Sequence, residues 1–100
     1  MIILLVGSGG REHAIARAIK NSPLTSKLFI APGNPGMQKL GECKKIPVDD
    51  IEALCNLAKS IEANLVVIGP EVPLVKGLKK KINNIGIKAF GPTAEAAMLE

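Results

Sequence analysis

The run Ile2–Val6, "IILLV", is apolar without a break and stops at Gly7. A strand with one wet face alternates polar and apolar residues. An unbroken run belongs to a strand covered on both faces. "GSGG" follows over residues 7–10, and residues 11–20 then carry Ala14, Ile15, Ala18 and Ile19 at helical spacing. A buried strand, a glycine turn and a helix in direct succession demand an α/β fold, because a parallel sheet between helix layers is what buries such a strand.

The alternation continues along the chain. "KLFIA" (27–31) reads as a second strand, closed by "PGNPG". "KKIPV" (44–48) reads as a short third strand, placed at an edge because Pro47 has no N–H to give a ladder. Asp49 or Asp50 caps a helix that turns Ile51, Leu54, Cys55, Ala58 and Ile61 to one face. "LVVIG" (65–69) is the fourth strand. Pro73 suits the first turn of a helix, one that points Leu74, Val75, Leu78, Ile82 and Ile85 inward and Lys79, Lys80 and Lys81 outward. "IKAFG" (87–91) is the fifth strand, and "PTAEAAMLE" (92–100) opens a further helix with Thr93 as its cap. The expected architecture is a single Rossmann-like domain over residues 1–100: an open parallel sheet of five strands with helices on both faces. The helix running into Glu100 suggests a piece of a longer chain.

Composition narrows the function. The net charge is +4 and only two residues are aromatic. The lysine run has no stacking groups interleaved, so no nucleic-acid partner is expected. Cys43 and Cys55 form no C-x-x-C, and His13 is the single histidine. Neither a disulfide framework nor a metal site is expected, and reduced thiols fit a cytoplasmic protein. The apolar N-terminus is too short to span a bilayer and lacks a basic flank and a cleavage site, so neither a signal peptide nor a membrane partner is expected.

Glycine and proline gather in "GSGG", "APGNPG", "GPEVP" and "GPT", each just after a strand and none before one. Ligands of open parallel sheets bind outside the carboxyl ends, where the strand order reverses. These loops are therefore expected to share a crevice. The N–H groups of Ser8, Gly9 and Gly10 stand at a helix N-terminus, which suits a phosphate. Gly7 and Gly9 match the first two glycines of the dinucleotide motif G-x-G-x-x-G, but Glu12 stands where the third would be. Its bulk and charge point to a ligand with one phosphate. No acidic residue closes the second strand to hold a dinucleotide's ribose. Arg11 either adds a charged contact to the phosphate or faces solvent. Glu71, between Pro70 and Pro73, faces hydroxyls or an amine of the ligand, or else caps a helix. His13 sits in a first helical turn, where the dipole disfavours an imidazolium, and reads as a neutral structural residue in preference to a catalytic one.

"GSGGREHA", "APGNPG", "GPEVPLVKG" and "FGPTAEAAMLE" resemble, in order and over the whole chain, the N-terminal domain of the phosphoribosylamine–glycine ligases, also called glycinamide ribonucleotide synthetases. The resemblance implies the first domain of an ATP-grasp enzyme of purine biosynthesis. That enzyme joins glycine to 5-phosphoribosylamine, using ATP and magnesium or manganese, through a glycyl phosphate. It implies that Ser8, Gly9, Gly10 and Arg11 lie at the substrate phosphate, with Asn34 nearby and Glu71 at the ribose hydroxyls or amine. It places no catalytic residue, metal or cofactor site within these 100 residues. The partners it implies are the ATP-grasp and C-terminal domains of the same chain. Two other readings compete: a nicotinamide-dinucleotide domain of an oxidoreductase, and a CoA-binding or regulatory Rossmann-like module.

Overall fold

The computed structural model describes residues 1–91. Strand β1 (Ile2–Gly7) lies at the centre of a five-stranded sheet whose other strands are β2 (Lys27–Pro32), β3 (Glu42–Cys43), β4 (Leu65–Ile68) and β5 (Lys88–Phe90). All pairings are parallel, in the order β3-β2-β1-β4-β5. Leu4 aligns with Phe29 on one side and Val66 on the other. Every residue from Ile3 to Gly7 is buried, as an unbroken apolar run requires.

The two faces of the sheet make two cores. Leu4, Val6, Val66 and Ile68 pack against Leu54, Leu57 and Ala58 of α2 (Ile51–Ser60) and Leu78 and Ile82 of α4 (Leu78–Asn84). Ile3, Leu5, Ile30 and Val67 pack against Ala16 and Ile19 of α1 (Gly10–Asn21) and Met37 of the short 3-10 helix Pro35–Lys39. Helices on both faces and an open parallel sheet are the expected Rossmann-like class. Asp50 is the cap of α2, accepting the Ala53 N–H at 3.2 Å.

Four local expectations need correction. The third strand is Glu42–Cys43 rather than 44–48; Lys44 still donates its N–H to the Ile30 carbonyl, but the chain then turns away ahead of Pro47. The single helix expected from Pro73 onward is two: α3 (Glu71–Val75) and α4, divided at Gly77, whose φ is +87°. Val75, expected inward, is 84% exposed, because the break turns α3 away from the line of α4. In α1 the buried stripe is Glu12, Ala16 and Ile19, with Ala14 exposed. The apolar pattern alone could not show that a glutamate shares that stripe. The helix expected at 92–100, with its Thr93 cap, lies outside the described residues. Among the described residues, no helix is long and apolar enough to cross a membrane.

Candidate functional site

From β1 the chain steps outward to β2 and β3, then returns to β4 on the other flank of β1. The strand order reverses between β1 and β4, and the loop after each strand opens at the carboxyl edge. Hydrogen bonds tie three of these loops together. Gly33 N–H donates to the Gly7 carbonyl (3.0 Å) and Gly69 N–H to the Val6 carbonyl (2.9 Å). Asn34 Nδ2 donates to the Ser8 carbonyl at 2.7 Å, while its Oδ1 accepts the Met37 N–H at 3.1 Å and so caps the 3-10 helix. Arg11 Nη2 crosses the reversal point and donates to the Gly69 carbonyl at 2.7 Å. Gly33 and Asn34 of the second loop and Gly69 of the third thus meet the glycine turn and Arg11, while no hydrogen bond brings the Glu71 side chain to them among the described residues.

Around the glycine turn, Ser8, Gly9, Gly10 and Arg11 are exposed. The N–H groups of Ser8 and Gly10 make no hydrogen bond with another described residue. That of Gly9 is not a free donor as expected from sequence: it donates to Glu12 Oε1 at 3.1 Å. The reason is the reciprocal habit of helix starts, in which a glutamate in the first turn reaches back to the cap. Glu12 is 6% exposed, and its other oxygen lies 3.5 Å from Arg11 Nε. Burying a carboxylate is costly unless donors meet it, and here an N–H and a guanidinium do. A Cβ at Gly36 would press on the His13 ring, so the imidazole packs between α1 and the 3-10 helix. Glu71 opens α3 immediately after Pro70; it is exposed and supplies no cap, since the cap of α3 is Pro70 with no side-chain bond.

Arg11 is exposed, its side chain 54% accessible, yet it is tethered to Gly69 rather than free. Sequence reasoning could not anticipate its bond to Gly69, a partner 58 residues away. The pairing of Gly7 and Gly69 around Glu12 was also missed; its trace in the sequence is a glycine closing both central strands. Two open depressions lie elsewhere, about 440 Å³ between α2 and α4 beside Cys55, Lys59 and Lys81, and about 410 Å³ at the opposite edge beside Asn64 and Lys88. Neither includes a glycine-turn residue. Burial pushes the thiols of Cys43 and Cys55 above the ordinary range, which leaves both poor nucleophiles.

The family model described as phosphoribosylglycinamide synthetase, N domain, matches residues 1–100. The chain belongs to this family. A phosphoribosylamine–glycine ligase of Phenylobacterium zucineum (strain HLK1) is 54% identical over 100 residues, which are 100% of this chain and 24% of that protein. The ligase of Brucella melitensis biotype 1 is 51% identical, covering 100% of this chain and 23% of its own length. That of Caldanaerobacter subterraneus subsp. tengcongensis is 43% identical, with 100% and 24% covered. The chain spans about a quarter of the length of the curated relatives it matches. The oxidoreductase alternative has no support among these relatives, and family membership agrees with a turn in which Glu12 replaces the dinucleotide glycine.

Proposed function

We propose that this chain is the N-terminal, phosphoribosyl-binding domain of a phosphoribosylamine–glycine ligase. The observation that carries the reading is the family match over residues 1–100, joined to a turn at the strand-order reversal whose Ser8 and Gly10 N–H groups pair with no described residue. The substrate phosphate lies against the N–H groups of Ser8 and Gly10, at the positive end of α1. Arg11, held to Gly69, presents its remaining guanidinium donors to the same anion. Asn34 fixes the "APGN" loop beside the turn, and Glu71 faces the ribose hydroxyls or the amine. All of residues 1–100 form one domain of the longer enzyme.

No cluster of three His, Cys, Asp or Glu side chains suited to a metal ion occurs among the described residues. On this reading, as the family resemblance implies, ATP and its magnesium belong to the remaining three-quarters of the relatives' length. What these residues supply is placement: an anchored phosphate leaves the amine of 5-phosphoribosylamine pointing out of the carboxyl edge, where an activated glycine can meet it. The test is the full-length protein supplied with glycine, phosphoribosylamine, ATP and magnesium. ADP release that needs both glycine and phosphoribosylamine is expected. ADP release indifferent to phosphoribosylamine would overturn the reading.

A further inference from the structure

Glu12 is the one buried charged residue among those described. Dinucleotide folds place a glycine at this step so that helix and strand close together around a pyrophosphate. Here the clearance has moved to the strands. Gly7 closes β1, Gly69 follows β4, and a Cβ on either would overlap the Cγ of Glu12. The Glu12 side chain thus fills the gap at the reversal point. One of its oxygens takes the Gly9 N–H, as a phosphate oxygen would, and the other draws on Arg11. The outer donors at Ser8 and Gly10 pair with no described residue, and a Cβ at Gly10 would meet nothing within 4 Å.

The geometry points to Glu12 as the specificity residue of the phosphoribosyl site. Its carboxylate is a built-in anion that occupies the inner half of the turn, admits one external phosphate at the outer half and excludes a pyrophosphate. This rests on the reading that a phosphoribosyl group binds here. Two consequences separate bulk from charge. Glu12→Ala empties the inner half, so a pyrophosphate gains access. Glu12→Gln keeps the bulk and an acceptor for Gly9, removes a like charge beside the phosphate and releases Arg11 to it.

Calorimetric titrations of the full-length protein and both variants, with ribose 5-phosphate and with ADP-ribose, test this beside a thermal melt of each. The wild type is expected to bind ribose 5-phosphate and not ADP-ribose. Glu12→Ala should acquire ADP-ribose binding, at least about ten-fold above the wild-type limit. Glu12→Gln should go on excluding ADP-ribose and bind ribose 5-phosphate roughly five-fold more tightly. If Glu12→Ala does not fold, the Gln variant decides, and unchanged or weaker ribose 5-phosphate binding overturns the proposal. Ribose 5-phosphate binding alike to all three proteins, with ADP-ribose excluded from all, would leave the site standing and overturn the role of Glu12. Ribose 5-phosphate binding to none would overturn the phosphoribosyl site itself, and this inference with it.

Discussion

Gly69 has no freedom to be another residue while Glu12 is present, because the space of its Cβ belongs to the Glu12 side chain. Forcing an extra methyl into such packing costs roughly 1–3 kcal/mol. Gly69→Ala should therefore lower the stability of the domain by about that amount, whereas the double variant with Glu12→Ala should recover much of it. Denaturant unfolding of the four proteins in the cycle measures the coupling, and additive losses would show that the two residues do not interlock. Glu71 is the opposite case. It is exposed and its side chain bonds to nothing among the described residues, so Glu71→Gln should leave the melting temperature unchanged. If it holds a hydroxyl or the amine of the substrate, kcat/KM for phosphoribosylamine should fall about ten- to a hundred-fold. Kinetics lost together with the melting transition would make it structural instead.

The α3–α4 break shows what a helical pattern leaves out. Leu74, Leu78, Ile82 and Ile85 keep their spacing across Gly77, so periodicity alone runs one helix through it. Gly77 instead takes φ +87° and separates the two. A side chain there has open space but an unfavourable backbone, so Gly77→Ala should cost about 1 kcal/mol in a thermal melt, and an unchanged or raised melting temperature would contradict the break. The central strands were legible because an apolar run between punctuation has one interpretation inside a parallel sheet. The edge strand was not: Glu42 and Cys43 carry no pattern of their own, and only their pairing with Phe29 and Ile30 makes them a strand. In the candidate site, the glycine turn and its position on the carboxyl edge could be read from residue order. The Arg11–Gly69 bond and the Gly7–Glu12–Gly69 fit could not, since both depend on β1 and β4 lying side by side, which brings Gly69 to Arg11 across a separation of 58 residues.

At the scale of the molecule, the sheet order carries the functional argument. The reversal at β1 brings loops from three parts of the chain to one edge, and helices pack on both faces of the sheet. The proposed division places the ATP site in the rest of the longer enzyme, so residues 1–100 alone should not bind magnesium–ATP with micromolar affinity. Calorimetry would check this, and micromolar binding would contradict the division of labour proposed here. The most direct measurement is steady-state kinetics of Gly10→Val in the full-length protein. Gly10 is exposed and a Cβ there touches no neighbour, so the branch obstructs an approaching anion without disturbing the fold. The KM for phosphoribosylamine should rise at least about ten-fold, with the KM values for glycine and ATP and the melting temperature unchanged. An unaltered KM for phosphoribosylamine, or a common rise in all three, would contradict a phosphate held at this turn.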